Sequence, residues 1–171
     1  MRSRTLILLL ASSLAFSLLA ACKNSPTSPE PQPPLYGSKV GDTAADFSAK
    51  DQSGHSVNLY KYLGKVILLD FSADWCGPCR DEASHAESLY QKYKDRGFQL
   101  IALLISGSPA TWANTYNLTF PVLDDNSEKI WSIYGEGAIP LNIILDRNMT
   151  IRYKEAGYNE STIANTIEKY L

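Results

Sequence analysis

From Gly37 onward the chain alternates between two hydrophobic patterns. Lys65 to Phe71 holds the unbroken apolar run Val66-Ile67-Leu68-Leu69, the pattern of a strand buried on both faces. Phe98 to Ile105 repeats it. Ahead of these, Asp46 to Ala49 and Ser56 to Leu59 flank the turn-rich Asp51-Gln52-Ser53-Gly54, which predicts a hairpin. Helical spacing predicts a helix from Gly77 or Pro78 to Arg96, with Gly97 as its stop signal. A second helix is predicted over Pro109 to Tyr116, then an extended segment over Phe120 to Leu123 and a short helix over Ser127 to Tyr134. Leu141 to Leu145 and Thr150 to Glu155 predict paired strands around the turn Asp146-Arg147-Asn148. Glu160 to Tyr170 closes the chain as a helix, with Asn159 as its cap. Trp112 and Trp131 fall on predicted helices and read as packing residues. There is no internal repeat. Strands separated by helices predict an α/β fold whose central sheet is covered on both faces.

The first 36 residues follow neither pattern. Arg2 and Arg4 precede a nearly continuous apolar stretch, Leu6 to Leu19, broken only by Ser12, Ser13 and Ser17. It is shorter than the roughly 20 residues a membrane span needs, and has the form of a targeting segment. Leu19-Ala20-Ala21-Cys22 resembles the lipobox of bacterial lipoproteins, which implies cleavage after residue 21 and lipidation of Cys22. An ordinary secretory signal with an incidental cysteine, or an uncleaved anchor, would share much of this pattern. Lys23 to Tyr36 contains Pro26, Pro29, Pro31, Pro33 and Pro34 and reads as an extended linker. At about 3.1 Å per residue in polyproline II form it would reach on the order of 40 Å. The expected organisation is a signal over 1–21, a lipidated cysteine and linker over 22–36, and one domain over 37–171.

Composition adds exclusions. The 171 residues are 44% hydrophobic and 20% charged, enough to fill a core, and the net charge of −2 shows no basic cluster past the N-terminus, which argues against nucleic-acid binding. Loss of Arg2 and Arg4 with the signal would leave a mildly acidic domain. With Cys22 assigned to lipid, the remaining two of three cysteines sit three apart. A bridge between them closes almost no loop and would stabilise little, so their value lies in chemistry.

That chemistry centres on Trp75-Cys76-Gly77-Pro78-Cys79, where a buried strand gives way to a helix. A helix start offers unpaired N–H groups and partial positive charge, both of which favour a thiolate. Lowering a cysteine from about 8.5 to about 7 takes roughly 2 kcal/mol of differential stabilisation. Cys76 is therefore the expected exposed nucleophile, and Cys79, one turn in, the resolving thiol. Gly77 and Pro78 shape the first turn, where proline loses no hydrogen bond. Half of a zinc site would read the same way, but zinc needs two more ligands and there is no second such pair. His55 and His85, the only histidines, lie at unsuitable spacings, so no metal is expected.

Val66 to Arg80 resembles the active-site segment of thioredoxins. The wider stretch from Ala45 to Leu171 is similar to the TlpA/ResA branch of tethered extracytoplasmic thiol–disulfide oxidoreductases. The likeness implies a thioredoxin-like fold: a central mixed β-sheet flanked by helices, an N-terminal β-hairpin, and a helix–strand insertion between Ile105 and Asp124. It implies a redox disulfide between Cys76 and Cys79. Pro140, in Gly137-Ala138-Ile139-Pro140, matches the cis-proline facing the cysteines, leaving the Ile139 backbone to pair with an extended substrate. Trp75, Gly77 and Pro78 would share that contact surface, with Trp75 as a lid over the disulfide or simply a core residue. Asp70 matches the buried acid beneath the thioredoxin active site, where burial would raise its pKa and suit it to take the Cys79 proton. Glu82 matches an acid the TlpA/ResA branch places near its cysteines. Carrying both acids departs from that branch, as do Ser84 in place of a proline and Leu141 in place of a threonine.

The implied function is dithiol–disulfide exchange with protein substrates, without a cofactor. The Gly-Pro dipeptide resembles that of reducing thioredoxins, which implies a reductase fed by a membrane thiol donor. Apocytochromes c and other envelope disulfides are candidate substrates. The expected setting is the extracytoplasmic or periplasmic face of a bacterial membrane, the chain acting as a lipid-anchored monomer. A peroxiredoxin-like peroxide reductase is the first alternative, but the threonine or serine and the proline it would need are Ala73 and Leu69. The other is a copper metallochaperone or non-catalytic binding module, which lacks its distant histidine because none follows His85.

Overall fold

A computed structural model describes residues 36–171. The expected signal over 1–21, Cys22 and all but the last residue of the expected linker lie outside the described residues. The elements are β1 (Tyr36–Gly37), β2 (Thr43–Ala44), β3 (Ser48–Lys50), β4 (Ser56–Asn58), β5 (Val66–Ala73), α1 (Gly77–Tyr93), β6 (Phe98–Ser106), α2 (Pro109–Tyr116), β7 (Val122–Asp124), α3 (Trp131–Tyr134), β8 (Leu141–Leu145), β9 (Ile151–Ala156) and α4 (Glu160–Tyr170). Among the described residues, no helix is long and apolar enough to cross a membrane.

Five strands form the central sheet in the order β7-β6-β5-β8-β9. The β5–β6 and β6–β7 pairs are parallel, whereas β5–β8 and β8–β9 are antiparallel, so the sheet is mixed. Every residue of β5 is buried, as a central strand covered on both faces requires. Alternation sorts its side chains: Val66 and Leu68 join Ala83, Ala86 and Leu89 of α1 and Ile163 and Ile167 of α4. Ile67, Leu69 and Phe71 instead meet Phe47, Val57 and Leu59 on the other face, together with Ile130, Tyr134 and Met149. Asp70 and Ser72 share the parity of Leu68, which commits them to the α1 face.

The hairpin is present as antiparallel β3 and β4, shorter than expected at its open end. Asp46 lies ahead of β3 with its carboxylate accepting from Asn58 Nδ2, and Leu59 already begins a 3-10 turn. The hairpin's Gln52 accepts from Val122 N and donates to Phe120 O, covering the β7 edge of the sheet. The insertion consists of α2 and β7.

Two expectations need correction. The helix expected to reach Arg96 is α-helical only to Tyr93, then tightens into a 3-10 turn ended by Gly97 at φ 90°. The helix expected over Ser127 to Tyr134 is confined to Trp131–Tyr134. The buried Asp125 carboxylate accepts from Ile130 N at 3.0 Å and Trp131 N at 2.7 Å, and Glu128 takes φ 54°, so the preceding residues form a turn. The small parallel pair of β1 and β2 has no counterpart in the sequence pattern.

Candidate active site

The cysteine pair stands where β5 gives way to α1. A register irregularity in the β5–β6 pairing, between Ser72 and Ala73, falls just ahead of it, the kind of bulge that redirects a strand end beside a site. Cys76 is the N-cap of α1, and its Sγ accepts from Cys79 N at 3.2 Å. Gly77 and Pro78 fill the first turn. Cys76 and Cys79 are joined by a disulfide. Once reduced, the same N–H and the helix N-terminus would hold negative charge on Cys76.

Cys76 retains only 5% of its surface and Cys79 none. The expectation of an exposed nucleophile is corrected to one lying just beneath the surface. The cover comes from the loop ahead of β8, where Ile139 O lies 3.8 Å from Cys76 Sγ. The asymmetry still makes Cys76 the sulfur a partner reaches first. Ile139–Pro140 is cis, as the resemblance implies. The loop is tied down at both ends: Pro140 O accepts from Gly157 N at 2.7 Å, and Glu136 pairs with Lys154 Nζ at 3.1 Å. Trp75 is 65% exposed, so its ring offers contact surface and is not a core residue.

Beneath the disulfide lie two acids, each only 2% exposed. Cys79 and Glu82, three apart on α1, occupy the same helix face. Asp70 approaches from β5. Ser72 Oγ donates to Asp70 Oδ1 at 2.7 Å, and Asn142 Nδ2 donates to Glu82 Oε2 at 3.2 Å. Burial raises the Asp70 pKa to about 6, against the Ser72 hydrogen bond. Burial and then the charge of Asp70 raise Glu82 to about 10, against the Asn142 hydrogen bond. Two such groups titrate as a pair, and near neutral pH this pair holds one proton. Such a pair, on the helix face that carries Cys79 and the strand facing it, can accept a proton from a thiol and return it.

The structure thus brings together Asp70, Cys76, Cys79, Glu82, Ile139 and Pro140, with Trp75, Gly77 and Pro78 at the rim. Sequence reasoning missed Asn142. Its signal was a lone polar residue inside the apolar run Leu141 to Leu145. A cleft of about 360 Å³ adjoins the motif, bounded by Asp74 and Arg80 on one side and Ser108, Thr111, Trp112 and Tyr116 on the other.

The chain is similar to known proteins over most of the described residues. Residues 40–154 match the AhpC/TSA family. The thiol–disulfide oxidoreductase ResA of Geobacillus kaustophilus is 33% identical over 117 residues, covering 66% of this chain and 67% of the relative. The ResA of Oceanobacillus iheyensis is 29% identical over 153 residues, covering 84% and 74%. Among solved structures, a thiol:disulfide interchange protein DsbE from Chlorobium tepidum superposes with a TM-score of 0.69 at 28% identity, covering 78% of this chain and 96% of that one.

Proposed function

Because the chain belongs to the AhpC/TSA family, and within it is a TlpA/ResA-like thiol–disulfide oxidoreductase of the thioredoxin superfamily, we propose that it reduces disulfides of extracytoplasmic proteins through Cys76 and Cys79. The observation that carries this reading is the cysteine pair itself, set at the start of α1 with Cys79 N–H donating to Cys76 Sγ and two buried acids below.

The Cys76 thiolate attacks one sulfur of a substrate disulfide, forming a mixed disulfide and releasing the other substrate sulfur as a thiolate. Cys79 gives its proton to the Asp70–Glu82 pair, and its sulfur attacks Cys76. The bond from Cys76 to the substrate breaks, the second substrate thiolate leaves, and the Cys76–Cys79 disulfide closes. Two electrons pass from the cysteine pair to the substrate, so each turnover requires re-reduction by a dithiol donor. Trp75, Gly77, Pro78 and the Ile139 backbone form the surface that receives the substrate segment.

Candidate substrates, on the resemblance to the TlpA/ResA branch, are apocytochromes c awaiting haem or disulfides in other envelope proteins. The thiol–disulfide oxidoreductase and interchange names of the relatives support disulfide exchange itself. Lipidation of Cys22 would anchor a monomeric domain to the membrane, with the segment to Tyr36 as its tether and a membrane thiol carrier as its donor. The Cys76→Ser variant tests the mechanism by insulin disulfide reduction. Loss of activity is expected. Retained activity with Cys79 alone would sink it.

A further inference from the structure

Asn142 is fully buried, and its side chain reaches both the acid pair and the backbone. In the antiparallel β5–β8 pairing it lies directly opposite Asp70, so the two side chains leave the sheet on one face as immediate neighbours. Its Nδ2 donates to Glu82 Oε2 at 3.2 Å and to Gly157 O at 3.3 Å. A backbone carbonyl only accepts, so Gly157 fixes which end of the amide is nitrogen. Both Nδ2 protons are then committed. Oδ1, enclosed, has no hydrogen-bond partner among the described residues. A buried acceptor left so keeps its desolvation cost uncompensated, which favours any donor that comes within reach.

The groups facing Glu82 narrow the choice of donor. They are Asp70 with Ser72 from β5, Asn142 from β8, Tyr153 from β9, and Tyr158 just ahead of α4. His85, on α1 itself, stacks on Tyr158 at 6.2 Å between ring centroids. No Lys or Arg is among them. Glu82 therefore has Asn142 as its hydrogen-bond donor in place of a cation, and Asp70 stands opposite Asn142 in the strand register.

We propose that Asn142 is a positioning residue for the proton step: Nδ2 holds the Glu82 carboxyl on the helix face it shares with Cys79 and favours its ionised form, and so sets the pH at which the Asp70–Glu82 pair takes up a further proton. This rests on the reading that the acid pair receives the Cys79 proton. In the step concerned, the Cys79 S–H bond breaks and the proton passes to the ionised member of the Asp70–Glu82 pair. The Cys79 electron pair forms the new bond to Cys76, and the substrate thiolate leaves. Asn142 touches no reacting sulfur. It sets the pH at which the acid pair is ready to accept.

The test is stopped-flow reaction of the reduced protein with a chromogenic aryl disulfide, whose two thiolates are released first by Cys76 and then by Cys79. Asn142→Leu keeps the volume and removes both polar ends. The pH midpoint of the second phase should rise by about one unit, making that phase about tenfold slower at a fixed pH below it. Adding Asn142→Leu to Glu82→Gln should move the midpoint no further. An unchanged midpoint in Asn142→Leu, with shifts in Asp70→Asn and Glu82→Gln, would overturn the role of Asn142 alone. Unchanged midpoints in all three would overturn the acid-pair reading with it. A slower phase with no midpoint shift would mark a merely structural residue. Should Asn142→Leu not fold, wild-type NMR serves: the Asn142 side-chain amide should titrate with the Glu82 carboxyl, and an invariant amide signal would overturn the proposal.

Discussion

Asp70 and Glu82 each hold their proton more tightly in the folded chain than in the unfolded one, because burial penalises the charged form. An acid raised by folding stabilises the fold while it stays protonated, and that contribution is lost as pH climbs through the folded pKa. Stability should therefore decline as pH rises from the ordinary carboxylate range near 4.5 towards about 10, where Glu82 titrates. Glu82→Gln should flatten the decline, measured as denaturant midpoint against pH. A variant retaining the wild-type slope would remove Glu82 as its source. The acids were legible in the sequence because one ends an apolar run and the other sits three residues after the motif. Asn142 was not, because only strand register shows which polar side chain in β8 faces Asp70.

Elements with local signals appear at their expected bounds. Helix α2 starts after Ser108, whose hydroxyl accepts from Thr111 N, and α4 after Asn159, whose side chain accepts from Thr162 N. Both caps can be read from neighbouring residues. Helix α3 could not be placed this way, because its donors are satisfied by Asp125, five and six residues earlier and almost fully buried. Helical spacing over Ser127 to Tyr134 was real, but a carboxylate reaching across the turn supplied a better arrangement of the first N–H groups. Asp125→Ala should cost about 2 kcal/mol in urea unfolding, at about 1 kcal/mol for each of the two hydrogen bonds lost. An effect below about 0.5 kcal/mol, the range of ordinary surface changes, would mean the turn does not depend on Asp125.

Across the whole molecule, the mixed sheet and its two helical or looped faces converge on one end of β5. There α1 begins, the Ile139–Pro140 loop covers Cys76, and exposed Trp75 marks the approach. The sequence motif showed that a redox pair would stand at this junction. It did not show that the nucleophile would be 95% covered, because the cover comes from a loop 63 residues away in the chain. The Gly-Pro dipeptide, which resembles that of reducing thioredoxins, is what supports the proposed direction of electron flow, from the cysteine pair to the substrate. The measurement that bears on it most directly is the reduction potential of the Cys76–Cys79 couple, from thiol trapping of the purified protein in defined redox buffers. A value near that of thioredoxin, about −270 mV, is predicted, and a value near about −120 mV, as in strong periplasmic oxidants, would make the protein a disulfide donor and contradict the account.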